Sequence, residues 1–258
     1  MEQKTFALKG NIIYTKERTR FEVMEQGWLV CEEGRVRDVY SVLPEELKGI
    51  PVEDMGDRLI IPGLTDLHIH APQYTFRSLG MDMELLEWLE TNTFPEESKY
   101  KDAEYAQKAY GMFAEQLKKS ATVRACIFGT IHNEATLILM DLLEEAGLHT
   151  MVGKVNMDRN SPDYLCEPSA EASAQATREW LKAVADRKYK HTRPILTPRF
   201  TPSCTDELME LLKEIQTETH LPMQSHLSEN PGEIAWVKEL CPWSEFYGDA
   251  YDKFGLFG

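Results

Sequence analysis

Residues 62–70 read Pro62-Gly63-Leu64-Thr65-Asp66-Leu67-His68-Ile69-His70, a short apolar run that follows a Pro-Gly turn and ends in two histidines. Such a run, bounded by turn residues, is typical of a β-strand. Side chains two positions apart on a strand point to the same face, so His68 and His70 project together. The pair can chelate zinc or iron, while two packed or solvated histidines remain the alternative for an isolated His-x-His.

The predicted secondary structure differs between the two sides of this strand. Before it, short runs with turn signals predict a small β unit, with strands at 5–15, 27–32, 35–41 and 58–61. After it, candidate strands at 64–70, 122–128, 149–157, 194–200 and 222–226 alternate with segments whose apolar residues recur at helical spacing. We therefore predict two domains, residues 1–61 and 62–258.

Alternating strands and helices indicate an α/β fold with a parallel sheet, which can be a closed barrel or an open doubly wound sheet. The sequence has no G-x-G-x-x-G after a strand and no G-x-x-x-x-G-K-[ST], the usual phosphate-binding signatures of the open folds. This favours a TIM-type (β/α)₈ barrel. One helix is predicted to begin at Ser203, with Asp206 completing a capping box.

The composition excludes several classes of function. The 258 residues include 43 acidic and 28 basic side chains, for a formal charge of −15. Such a surface repels phosphate backbones, so we expect no nucleic-acid partner. Without a run of about 18 apolar residues we expect no membrane association. Five cysteines with no C-x-x-C pair argue against a disulfide framework, and we expect a cytoplasmic location.

A third candidate ligand, His226, ends the last predicted strand, and Glu229 follows it in a loop. Active residues of a (β/α)₈ barrel come from the carboxyl ends of several strands, so His226 can join His68 and His70. Glu229 could then exchange protons beside a metal site, whereas alone it would be an exposed acid. His132, after the second strand, could line the same pocket or be an ordinary loop histidine.

Residues 62–70 are similar to the metal-binding signature of the amidohydrolase superfamily, and six further stretches, in the same order as in the family, resemble its guanine deaminase family. These stretches are His70-Ala71-Pro72-Gln73-Tyr74, Leu85-Leu86-Glu87-Trp88-Leu89, Thr93-Phe94-Pro95-Glu96, Gly153-Lys154-Val155-Asn156-Met157-Asp158, Thr197-Pro198-Arg199-Phe200 and Ser225-His226-Leu227-Ser228-Glu229-Asn230.

The resemblance implies a zinc-dependent hydrolytic deamination of guanine to xanthine and ammonia, a reaction of purine catabolism or salvage. It implies one zinc ion, with iron as an alternative, a small-molecule purine as the partner, and a homodimer for the full-length form. The residues that match the family's site are the metal ligands His68, His70 and His226, the purine-binding Gln73, Arg199 and Phe200, and the proton-exchanging Glu229.

The chain departs from the family pattern at its end. The family's fourth histidine and its metal-binding aspartate lie on later strands, but this sequence stops at Gly258 with five candidate βα strands. We therefore expect a truncated chain that contains an incomplete barrel, preceded by part of a composite β-sandwich. Two alternatives remain, an amidohydrolase that deaminates a different amino-heterocycle and a non-catalytic remnant or interaction protein.

Overall fold

The computed structural model describes residues 5–256. Its contacts divide the chain into two compact units, Met1–Gly63 and Leu64–Gly258. Within the described residues, no helix has both the length and the apolar character needed to cross a membrane.

The first unit is a four-stranded sheet of β1 (Phe6–Glu17), β2 (Arg20–Glu32), β3 (Arg35–Tyr40) and β4 (Val52–Ile60), in the order β3-β2-β1-β4. β1 and β2 are antiparallel, as are β2 and β3, and β4 runs parallel to β1. Glu33 and Gly34 both have positive φ at the β2–β3 hairpin, the geometry of the tight turns that fit twisted strands. The predicted strand at 27–32 is too short, because β2 already pairs with β1 from Arg20 onward.

The second unit contains a parallel sheet of β5 (Leu64–His70), β6 (Thr122–Phe128), β7 (His149–Gly153) and β9 (Thr192–Pro194), in the order β5-β6-β7-β9. The short strands β8 (Val155–Asn156) and β10 (Thr197–Pro198) pair in parallel beyond it. The predicted α/β class and parallel sheet are confirmed. Because the strands are parallel, their carboxyl ends lie at one edge of the sheet.

Eight helices accompany this sheet in the described part of the chain: α1 (Leu85–Trp88), α2 (Phe94–Ser98), α3 (Ala103–Lys118), α4 (Asn133–Glu145), α5 (Ala170–Arg187), α6 (Asp206–Thr219), α7 (Pro231–Leu240) and α8 (Asp249–Asp252). A π-helical turn at Leu89–Thr93 joins α1 to α2. The apolar stripes of α3 and α4 pack with β6 and β7 in one core that includes Phe113, Leu139, Ile127 and Val152. Burial of these stripes is the main force that holds the helices on the sheet.

Four further local predictions are corrected. The predicted strand 149–157 is interrupted at Lys154. A Cβ atom on Gly153 would lie 1.7 Å from Thr197 Oγ1, so only glycine permits this close approach. The predicted strand 194–200 is likewise split into β9 and β10.

The predicted strand 222–226 is reduced to one bridge, between Leu196 and Met223, among the described residues. The pairing stops there because side chains bind the backbone groups that would continue it. The Tyr251 hydroxyl, for example, donates to the His226 carbonyl at 2.6 Å. Ser203 does not cap α6, since the Thr205 hydroxyl accepts the Leu208 N–H at 3.1 Å and begins the helix there.

Glu144, at the end of α4, ties this helix to the start of β9. Its carboxylate accepts the backbone N–H groups of Lys190, His191 and Thr192 at 2.8, 2.9 and 3.0 Å. Burial acts to raise the pKa of Glu144, but these donors outweigh it, and the pKa is lowered. A carboxyl group whose folded-state pKa is lowered stabilises the fold above its unfolded-state pKa, and this contribution is lost as the pH falls through the folded-state value.

We therefore expect Glu144→Gln to lower the free energy of unfolding by about 1.5–3 kcal/mol at pH 7. Below the pKa of an ordinary glutamate the difference from the parent chain should shrink. Urea unfolding at pH 7 and at about pH 3 measures both values, and Glu145→Gln, at the exposed neighbouring position, is the control. Equal losses for the two variants at pH 7 would contradict this account.

Candidate metal centre and active-site cavity

Three histidines meet at the carboxyl-end edge of the sheet. His68 and His70 lie on β5, and His226 follows the Leu196–Met223 bridge, 156 residues from His70 in the sequence. Their ligand nitrogens all lie within 4.8 Å of one another, and the Nε2 atoms of His70 and His226 are 2.9 Å apart. A tetrahedral zinc with bonds of about 2.0–2.1 Å separates its ligand nitrogens by about 3.4 Å. Small side-chain rotations would therefore suffice for all three imidazoles to bind one ion.

The hydrogen bonds around His226 present its Nε2 atom as a ligand. Its Nδ1 lies 2.7 Å from the Arg199 carbonyl, to which it can only donate. The proton then resides on Nδ1, and the lone pair of Nε2 is free for a metal. An imidazole oriented through its other nitrogen in this way is the usual arrangement at metal sites. On β5, the His68 N–H donates to Asp66 Oδ1 at 3.1 Å, which holds the backbone beside the first ligand.

The surroundings keep two of the imidazoles uncharged. Burial lowers the pKa of His226 to about 4 and outweighs the hydrogen bond to the Arg199 carbonyl, which acts to raise it; the charges of Arg199 and His68 lower it further. Burial, followed by the charges of His226, Arg199 and His68, places the pKa of His70 well below its usual value. Neutral imidazole is the form that binds metals, so these residues are ready as ligands at neutral pH. The donor set fits zinc or iron.

A cavity of about 310 Å³ opens beside the three histidines, at the lower end of the roughly 300–1,000 Å³ of small-molecule sites. Its lining includes the four other residues that the resemblance assigned to the site, and three to which no role had been assigned. The predicted members of its lining are Gln73, Arg199, Phe200 and Glu229, and the additional ones are Leu85, Trp88 and Leu89. The only sequence signal for these three additional residues was the similar stretch Leu85-Leu86-Glu87-Trp88-Leu89, in which they form an apolar cluster.

Two effects raise the pKa of the Glu229 carboxyl group. Burial raises its pKa, and the neighbouring charge of Glu233 raises it further. Glu233 is fully buried, and its carboxylate accepts the Glu229 N–H at 2.7 Å and the Tyr247 hydroxyl at 2.6 Å. The loop that carries Glu229 is therefore anchored to α7 at the edge of the cavity.

Arg199 lies in the cavity wall as one half of a buried ion pair. Its Nη1 and Nη2 donate to the two carboxylate oxygens of Glu97, at 2.6 and 3.2 Å. The sequence indicated no role for Glu97, since nothing local shows that a helical glutamate 102 positions away will be buried against an arginine.

The remaining candidate histidine, His132, and Asp158, which ends the fourth similar stretch, lie outside this wall. His132 is not among the lining residues, and burial, with the charges of Lys101 and Lys154, lowers its pKa to about 4. Asp158 accepts from the Thr205 backbone N–H at 2.8 Å and thus binds the first turn of α6. Neither residue borders the three histidines.

The parallel sheet and the three histidines at its edge define an α/β protein with a candidate metal centre. Residues 59–258 match the amidohydrolase family, and the chain belongs to it. The chain is similar to guanine deaminases from several organisms. It is 38% identical to the guanine deaminase of Dictyostelium discoideum over 96% of this chain and 59% of that protein, and 35% identical to that of Escherichia coli K12 over 91% and 54%.

Among solved structures, it is similar to a guanine deaminase from C. acetobutylicum that has guanine bound in its active site. The identity is 46%, the TM-score is 0.93, and the match covers 98% of this chain and 60% of that one. The chain thus spans about half to three-fifths of the length of these relatives.

Proposed function

We propose that the protein to which this chain belongs deaminates guanine by hydrolysis, with xanthine and ammonia as products. The observation that carries the proposal is the composition of one cavity wall. It combines three convergent imidazoles, an amide, a guanidinium, an aromatic ring and a carboxyl group of raised pKa. This set matches what the hydrolysis of an amino-substituted ring requires, namely a metal, donors for the polar edge of the base and a proton carrier.

His68, His70 and His226 would hold one metal ion, with zinc proposed and iron as the alternative. When bound, the ion would supply Lewis acidity and a nucleophilic water at neutral pH. The residues of the chain then have separate roles. They hold the ion through neutral imidazoles, bind the base and move its protons.

The base would be bound by Gln73, Arg199 and Phe200. Among the described residues no hydrogen bond occupies the Gln73 amide, so this amide is available to a ligand as both donor and acceptor. The Arg199 guanidinium can donate to a carbonyl oxygen, and the Phe200 ring can pack against the face of a flat base. Glu229 would donate its proton to a ring nitrogen and then assist the departure of the amine.

The test is turnover of guanine by the zinc-loaded protein that contains this chain, followed by the loss of guanine ultraviolet absorbance and the release of ammonia. A panel of other amino-heterocycles, including a pterin, an adenosine derivative and an aminotriazine, measures selectivity. We expect kcat/KM for guanine to exceed that for the others by at least about 100-fold. Preference for another member of the panel would reassign the substrate, and no turnover of any member would refute the proposal.

The remaining expectations are also proposals. A cytoplasmic location is supported by five cysteines that are all unpaired. A homodimer of the full-length form stays a prediction from the resemblance alone.

A further inference from the structure

The ion pair between Glu97 and Arg199 is one of the most enclosed polar contacts of the second unit. The side chains of Arg199 and Glu97 are 3% and 1% exposed, and both carboxylate oxygens accept from the guanidinium. Bidentate pairs of this kind fix the plane and the direction of the guanidinium as well as its charge. A buried pair is weak evidence for stability, because its desolvation offsets most of its attraction. Because the pair lies in the cavity wall, we looked to ligand binding for its role.

The segment that supplies Glu97 also forms part of the cavity. Leu85, Trp88 and Leu89 line the cavity from α1 and the π-helical turn, and α2 follows directly. Phe94, at the start of α2, places its ring 5.2 Å from the Arg199 guanidinium carbon. The same short stretch therefore closes one wall and holds the arginine by a carboxylate and an aromatic face.

The pair leaves part of the guanidinium available. Arginine has five N–H donors, and Glu97 engages one from each of Nη1 and Nη2. Within residues 5–256, no other side chain or carbonyl accepts a hydrogen bond from this guanidinium. Three N–H groups therefore have no acceptor among the described residues, and Arg199 lines the cavity.

The charge balance decides which ligand these donors favour. A buried guanidinium without a partner would attract an anion strongly, because the interior screens charges poorly. With the Glu97 carboxylate bound to it, the group offers directed N–H donors but no net charge. Such a site binds a carbonyl oxygen and gains little from a negative charge on the ligand.

We propose that Glu97 is a positioning residue that aims Arg199 into the cavity and cancels its charge, so that the cavity selects an uncharged ring carbonyl over an anionic heterocycle. This role of Glu97 rests on the proposed function. It adds to that function the class of ligand that the cavity selects. The neutral lactam of an oxopurine is accepted, and a ring of similar shape that carries a negative charge is disfavoured.

Two variants separate the two effects of Glu97. Glu97→Gln keeps the shape and removes the charge, whereas Glu97→Asp keeps the charge and withdraws it by one methylene. The matched control is Glu167→Gln, which removes the charge from another buried ion pair, with Lys154, in which neither residue lines the cavity. Circular dichroism first establishes that each variant is folded.

The readouts are kcat and KM for guanine, and the affinity for urate, which is an anion at neutral pH, measured by calorimetry in the zinc-loaded protein. We expect Glu97→Gln to raise the KM for guanine roughly 10- to 100-fold with a smaller change in kcat, and to tighten urate binding by about tenfold or more. Glu97→Asp should raise KM without tightening urate binding. Glu167→Gln should change neither the KM for guanine nor the affinity for urate.

The inference is overturned if urate binds Glu97→Gln no more tightly than the parent protein, or if Glu167→Gln shifts the urate affinity equally. Should Glu97→Gln fail to fold, tighter urate binding by Glu97→Asp overturns it instead. Urate affinity does not depend on turnover. Failure of guanine deamination by the parent protein would thus refute the proposed function separately.

Discussion

Replacing His226 with alanine is expected to abolish tight zinc binding by this chain. The three imidazoles converge from positions 156 residues apart, with the Nε2 atoms of His70 and His226 2.9 Å from each other. Loss of His226 leaves two protein ligands, whereas zinc sites of this kind need three. Even the loss of a group that only orients a ligand costs about 10- to 100-fold in metal affinity, so the loss of a ligand should exceed 100-fold.

The measurement is a competition titration of the purified chain with Zn²⁺ and a chromophoric chelator, which requires no catalytic activity. His149→Ala is the matched control, because His149 begins β7, at the opposite end of the sheet from the cavity, and its ring stacks edgewise on His191. We expect the parent chain and the control to bind one zinc each with equal affinity. Unchanged affinity in His226→Ala would remove this residue from the metal centre.

The second large effect is expected for Glu229→Gln in the protein that contains this chain. Glutamine fills the same volume but cannot donate and recover a proton, so kcat for guanine should fall by about 10²- to 10⁴-fold while zinc content is unchanged. Because burial and the Glu233 charge raise the pKa of Glu229, its protonated form persists to higher pH than that of an exposed glutamate. The activity that needs this proton should fall as the pH rises past that pKa.

The control for this variant is Glu239→Gln, an exposed glutamate on α7, the helix that follows the Glu229 loop, with no partner that the structure shows in the described residues. It should keep the parent rate within about twofold. The pH–rate profile of each variant distinguishes a proton carrier from a residue that only shapes the loop. A rate for Glu229→Gln within threefold of the parent would assign the proton transfer to another group.

Local rules predicted the three histidine ligands and placed Glu229 beside them, whereas Gln73, Arg199 and Phe200 were expected only from the resemblance to the family. Strand periodicity places His68 and His70 on one face, and the convergence of strand ends in a barrel brings His226 to the same edge. The structure puts these residues together with Gln73, Arg199, Phe200 and Glu229 around one cavity. The metal and substrate roles of these side chains stay predictions until they are measured.

Other features depend on contacts that no local pattern contains. The predicted strand at 222–226 has a composition typical of a strand. The Tyr251 hydroxyl, on α8, donates a hydrogen bond to the His226 carbonyl, and the strand pairing ends there. The predicted strand at 149–157 breaks because Gly153 packs against Thr197 without room for a side chain. Each outcome is set by a neighbour that lies more than 20 residues away along the chain.

Periodicity, turn residues and the His-x-His motif thus determined the α/β class, the parallel sheet and the metal-ligand candidates, because these follow from interactions of each residue with its near neighbours and with water. The tertiary structure alone decided that Glu97 faces Arg199, that Glu233 holds the Glu229 loop, and that Leu85 and Trp88 close the cavity. A carboxylate is buried only where a distant cation or donor compensates its desolvation. Its position in the sequence therefore carries no sign of its partner until the chain has folded.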